Sequence, residues 1–257
     1  MRRRWLLPIT LLVLAGGAGW WFRGPVGSWI RMNLGGVETV LLKKPKPDPK
    51  TYATLTKDLE RWRNDLAARH AKAKTTVERA AVEADARILL ETALPAMMRC
   101  WLGTPWDFNG TAKGPGDGKI ACGYFVATVL KDAGFQVDRY QLAQQPSENI
   151  LRSFIPRESC ALSVGKEYRL FAEEVGKREP GVYVVGLDTH VAFIVVRDGG
   201  FRFIHSSGSR PWCVVDESPG EAGVLQRSNW RMLGNLTAGS NVLRRWLRTE
   251  KIVVRGT

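Results

Sequence analysis

Cys122, His190 and His205 are the residues of this sequence whose types and placement suit nucleophilic chemistry. A thiol that attacks a carbonyl needs a base to take its proton, and the base needs a polar neighbour to hold it in one tautomer. Cys122 opens the run CGYFVATVLKDAG, in which Phe125, Val126, Val129, Leu130 and Ala133 recur at helical spacing. That spacing predicts an amphipathic helix over 122–134 with its thiol in the first turn. A helix start presents unpaired N–H groups and a partial positive charge, so the expected consequence is a lowered thiol pKa.

The elements that must bring the histidines to the thiol lie later in the chain. GVYVVGL at 181–187, HVAFIVV at 190–196 and FRFIH at 201–205 are short runs rich in β-branched and aromatic residues. Asp188-Thr189 and Arg197-Asp-Gly-Gly200 divide them, which predicts an antiparallel meander. Cys213-Val-Val215 adds a further short strand. A two-residue turn at Asp198-Gly199 places Ala192 opposite His205, and His190 shares the face of Ala192 because side chains alternate. His190 and His205 are then diagonal neighbours about 7–8 Å apart, close enough for a relay. In this reading Cys122 attacks, His190 acts as general base and then general acid, and His205 orients His190. The N–H of Cys122 is a candidate oxyanion donor. Taken singly, a helical cysteine is ordinary packing and a strand-end histidine an ordinary structural group. Their order and placement together favour chemistry.

These residues resemble the NlpC-type cysteine peptidases, which cleave bacterial cell-wall peptides on a papain-like fold. The resemblance rests on GTPWDFNG at 103–110, the Cys122 helix, EPGVYVVGL at 179–187, THVAF at 189–193 and FRFIHSSG at 201–208. It spans roughly 90–210 and implies a Cys122, His190, His205 triad. Three departures fall on substrate-recognising positions. The acid before the nucleophile is Ala121, with Gly123 where a serine follows it. The tyrosine after the proline is Trp106, and the acid of the strand entry is Val182. Trp106, Ala121 and Gly123 are therefore the candidate substrate-binding positions.

Around this centre the chain divides into parts. Three arginines followed by an apolar run ending at Phe22 form an export signal or a membrane anchor. The run is close to a membrane-spanning length and lacks a small-x-small cleavage site, which favours an uncleaved anchor over residues 5–22 of a 1–24 segment. The front arginines keep the N-terminus cytoplasmic, placing the rest in the periplasm or at the cell surface. Residues 25–50, with LLKKPKPDPK, read as a stiff solvated linker. Residues 51 to about 99 read as helical, either two helices or one bent near 70–75, with 51–84 a helical appendage and 85–257 the catalytic domain. His70 falls on a charged stretch and is expected to be solvated. Region 136–180 holds a loop at 144–148, a turn near Pro156 and a helix around 168–178. SNVLRRWLR in the tail is an arginine-rich amphipathic helix.

The fold class that follows is α+β, a papain-like NlpC-type arrangement of a central nucleophile helix on an antiparallel sheet. At 257 residues with 44% hydrophobic content the chain can bury a substantial core. Its net charge of +13 favours an anionic partner, such as a cell-wall polymer or a lipid surface. No zinc-type CxxC pair, Walker loop or GxGxxG is present, so no cofactor or metal is expected. No basic stretch interleaved with aromatics marks a nucleic-acid groove. The four cysteines are too dispersed for a disulfide framework. The expected function is a cysteine peptidase or amidase acting on peptidoglycan peptide or a related amide. The other classes left open are a non-catalytic binding module on the same scaffold and a thiol acyltransferase.

Overall fold

The computed structural model describes residues 45–197 and 199–256. The expected anchor over 5–22, most of the linker and Asp198 lie outside the described residues. Among the described residues no helix is long and apolar enough to cross a membrane.

Two long helices come first, α1 (Pro49–Lys72) and α2 (Thr76–Arg99). Asp48 caps α1 by accepting from Thr51 N–H at 2.9 Å, with Pro49 at the first helical position. Thr75 and Glu78 form a reciprocal capping box at the start of α2, so the chain breaks between the helices at 73–75. The C-terminal half of α2 is core, with Leu90, Leu94, Met97 and Met98 inaccessible to solvent. Both helices belong to the same compact unit as the sheet.

His70 is the clearest difference from expectation in this part of the chain. It is buried rather than solvated, with Nε2 3.3 Å from Glu83 Oε1, and the Arg244 guanidinium donates to the same oxygen at 2.8 Å. The charges flanking His70 in sequence point elsewhere around the helix. The face that carries His70 is covered by α2 and by the tail helix.

The Cys122 helix α3 (Cys122–Asp132) follows a long loop. Next come β1 (Gln136–Val137), α4 (Arg139–Ala143), α5 (Ser147–Phe154), a 3-10 turn at Arg157–Ser159, β2 (Cys160–Val164) and α6 (Tyr168–Gly176). The meander is β3 (Gly181–Leu187), β4 (Val191–Arg197) and β5 (Gly200–Ser206), continued by β6 (Val214–Glu217). The chain closes with α7 (Gly223–Arg227), β7 (Trp230–Asn235), α8 (Ser240–Leu247) and β8 (Lys251–Ile252).

Six strands form one antiparallel sheet in the order β2-β7-β3-β4-β5-β6, and β1 pairs with β8 in parallel. The sheet is covered on both faces. One face packs Tyr183, Val185, Ile194 and Phe203 against Phe171 and Val175 of α6 and Leu225 of α7. On the other, Phe193 meets Phe125 of α3 edge to face, with ring centroids 6.0 Å apart. The far end of α3 is fixed by α8, whose fully buried Trp246 donates to the Ala133 carbonyl at 2.8 Å. The fold is thus α+β, with the helix that begins at Cys122 packed against an antiparallel sheet.

Candidate active site

The loop that delivers Cys122 is sewn to the neighbouring hairpin by backbone bonds. Gly103 N–H donates to Val214, Val214 N–H to Thr104, Trp106 N–H to Trp212, and Ile120 N–H to Pro105, all within 2.8–2.9 Å. Ser206 Oγ donates to the Ile120 carbonyl at 2.7 Å, two residues before the thiol. From beneath, the buried Arg139 ties α4 to α3 and to the loop. It donates from Nε to Thr128 Oγ1 at 2.6 Å and from Nη2 to the Thr111 and Ala112 carbonyls at 3.0 and 2.6 Å.

Ala121 stands at the N-cap of α3 without a side-chain cap, and the helical ladder begins with Phe125 N–H to the Ala121 carbonyl. The N–H groups of the first turn therefore have no intrahelical partner. Gly123 has a steric cause: a Cβ there would fall well inside 3.0 Å of the Ala143 carbonyl oxygen at the end of α4. A side chain at this position would force the start of α3 away from the end of α4.

On the opposite wall, β3 and β4 are joined by the two-residue turn Asp188-Thr189, closed by Leu187 N–H donating to the His190 carbonyl at 2.8 Å. Asp188 holds the turn in place. Its carboxylate accepts from Ser228 Oγ and Asn229 N–H, both at 2.7 Å, and from Trp230 N–H at 3.1 Å. The Ser228 hydroxyl, with those backbone donors, keeps its pKa below the ordinary carboxylate value.

The β4–β5 register has Phe193 opposite Ile204 and Arg197 opposite Gly200, the register that a turn at 198–199 requires. It brings His190 Nε2 to 2.8 Å from His205 Nδ1, with the rings edge to face at 4.9 Å. His205 is 0% exposed, and Phe203 lies against its ring at 4.3 Å. Behind it, His205 Nε2 is 3.1 Å from Glu217 Oε2. Sequence reasoning reaches Asp188 only as a turn residue and does not reach Glu217. The available signal for Glu217 was the Cys213–Val215 strand: continued by two residues, it sets Phe203 opposite Glu217 and leaves Glu217 diagonal to His205.

Cys122 and His190 line a common cavity of about 790 Å³, together with Trp106, Ala121, Gly123 and Tyr124. A second cavity of about 540 Å³ shares Cys122 and His190 and continues past Pro146, Glu148 and Trp230. All three substrate-binding candidates thus reach the cleft, with His205 behind His190. Trp106 is braced by Trp212, at 5.5 Å between centroids, and packs over Gly208. Trp212 holds φ +59°, a conformation a bulky residue adopts only under constraint, and it is 51% exposed. The first cavity is lined by one carboxylate, Asp188, and one cation, Arg227, so the excess positive charge of the chain is not focused in it.

No family model, curated protein or solved structure matches this chain.

The electrostatics differ from the sequence expectation. Burial pushes the Cys122 thiol above its ordinary value, and it outweighs the opposing backbone N–H groups of Val191, Gly123 and Cys122 itself. His190 is pushed down to about 3 by burial and by the adjacent His205. Burial disfavours the charged form of each group, although both side chains line the cleft and are half-buried rather than sealed from solvent. Burial also pushes up the free cysteines Cys100, to about 12, and Cys160, to about 11.

Proposed function

We propose that this protein is an extracytoplasmic cysteine hydrolase of the NlpC type, held at the membrane by residues 5–22 and cutting an amide bond of cell-wall peptide. The observation that carries the reading is the 2.8 Å contact between His190 Nε2 and His205 Nδ1, beside a cleft that also holds a thiol at a helix start. In this reading the histidine pair supplies a base and its orienter to the cleft that holds the nucleophile.

In this mechanism His190 Nδ1 takes the Cys122 proton as Sγ bonds to the substrate carbonyl carbon. The oxyanion is met by first-turn N–H groups of α3. The C–N bond breaks as His190 returns the proton to the leaving amine. Water, activated by the same imidazole, then releases the acyl group from Sγ. Burial works against a thiolate–imidazolium pair, so in this reading proton transfer accompanies attack. The two cavities that meet at Cys122 leave room for substrate on both sides of the cut bond, which favours cleavage within a chain. Ala121 stands before the nucleophile, Asp188 is occupied by Ser228, Asn229 and Trp230, and Glu148 of the second cavity is paired with Arg152, so among the described residues lining the two cavities each carboxylate already has a partner. A peptide whose N-terminus is blocked suits such a site.

A second reading, a binding module with a silent triad, is favoured by the raised thiol and the depressed imidazole. Iodoacetamide labelling at neutral pH, mapped by peptide mass, separates the two. The hydrolase reading expects Cys122 to react faster than Cys160 and Cys213, and to lose that advantage in His190→Ala. Equal rates for the three thiols would overturn it.

A further inference from the structure

We propose that Glu217 is a positioning residue of this site, fixing through His205 the tautomer in which His190 Nδ1 is free to accept the thiol proton. The inference rests on the hydrolase reading for its consequence and on three hydrogen-bonding groups for its geometry.

His205 is fully buried, and both of its ring nitrogens are engaged, Nδ1 by His190 at 2.8 Å and Nε2 by Glu217 at 3.1 Å. A carboxylate accepts and does not donate, so Nε2 of His205 carries the hydrogen. In a neutral imidazole the other nitrogen is then a lone pair, which makes His205 Nδ1 an acceptor. His190 Nε2 must supply the hydrogen to it. The remaining nitrogen of His190, Nδ1, is left as a lone pair, and it alone can take a proton from Sγ. One carboxylate at the end of the row thus sets the proton positions of two imidazoles.

The neighbours leave Glu217 to this task. Asp216 points to the other side of the strand and takes both nearby guanidiniums, Arg99 at 2.8 Å and Arg202 at 2.7 Å. Tyr168 lies close, and its hydroxyl donates to the Pro219 carbonyl at 2.6 Å. When His190 receives the thiol proton, both its nitrogens carry hydrogen and the bond to His205 Nδ1 persists. The new positive charge then faces the carboxylate through a single imidazole, which stabilises it in a site otherwise hostile to charge.

The test is a ¹⁵N-histidine spectrum of the full-length protein in detergent, recorded where the imidazoles are neutral. With three histidines in the chain, the signals are assignable from His70 and His190 variants. The wild type is expected to show His190 and His205 both protonated on Nε2. Glu217→Ala should move His205 away from that form and lower kcat roughly 10- to 100-fold with little change in KM. Glu217→Gln keeps an accepting oxygen and the side-chain shape while removing the charge, so the tautomers should persist while kcat falls less. Finding His205 protonated on Nδ1 in the wild type would overturn the proposal, as would unchanged tautomers in Glu217→Ala. The spectrum does not depend on turnover. Predicted tautomers in a protein that cuts no amide would therefore sink the hydrolase reading while leaving the positioning role of Glu217 standing.

Discussion

Replacing Gly123 by alanine tests how tightly Cys122 is placed. A glycine-to-alanine change in a helix without steric conflict stabilises a protein, by about 0.4–1 kcal/mol, through the unfolded chain. At Gly123 the sign should reverse. The added Cβ would lie well inside 3.0 Å of the Ala143 oxygen and 3.2 Å from its carbonyl carbon, so backbone meets backbone with no flexible side-chain tip to yield. Ordinary contact requires the start of α3 and the end of α4 to separate by up to about 1 Å, and overpacking of this kind costs about 1–3 kcal/mol. In a chain of this size that is a fall in melting temperature of roughly 2–12 °C. The displaced residue is the neighbour of Cys122, while His190 stays on the opposite wall. A shift of about 1 Å in such a geometry lowers kcat/KM roughly 100-fold. Thermal melts and amide-hydrolysis kinetics on the same preparation supply both numbers. A Gly123→Ala protein as stable as wild type, with an unchanged rate, would refute the packing argument and the placement that depends on it.

Two further outcomes follow from the wall that carries His190. Asp188→Ala removes the acceptor of Ser228 Oγ, Asn229 N–H and Trp230 N–H, so the β3–β4 turn should loosen; the expected result is about 1–3 kcal/mol lost in urea unfolding with faster amide exchange at Thr189 and His190. His190 also ties stability to pH. Its folded pKa of about 3 lies below its ordinary value of 6.5, so between these values the unfolded chain binds the extra proton. The contribution is complete above about pH 6.5 and is lost as pH falls toward 3, with a slope of at most about 1.4 kcal/mol per pH unit. Urea titrations across that window should show a shallower slope in His190→Asn than in wild type, and parallel slopes would contradict the burial argument.

Much of the site's framework was legible because period-two alternation and a short turn fix register. The β4–β5 hairpin needed nothing beyond Asp198-Gly199 and the spacing of His190 and His205. What hid was structure whose cause is tertiary. β2 is an edge strand with Leu162 and Val164 exposed, so it shows no buried stripe. β7 carries Arg231 in its interior, satisfied by the Leu225, Lys166 and Gln226 carbonyls and stacked against Phe171, and a charged residue masks a strand in sequence. Glu217 depended on the β5–β6 register, set by a seven-residue connection with no short-turn signature. The thiol's upward shift was hidden as well, because a helix start indicates charge stabilisation and gives no measure of burial.

The measurement closest to the central claim is a digest of purified muropeptides by the full-length protein, read by mass spectrometry beside Cys122→Ala. The account predicts fragments whose combined mass exceeds the parent by one water, formed by the wild type and not by Cys122→Ala. Equal cleavage by the two proteins would contradict it, and so would intact muropeptides in both.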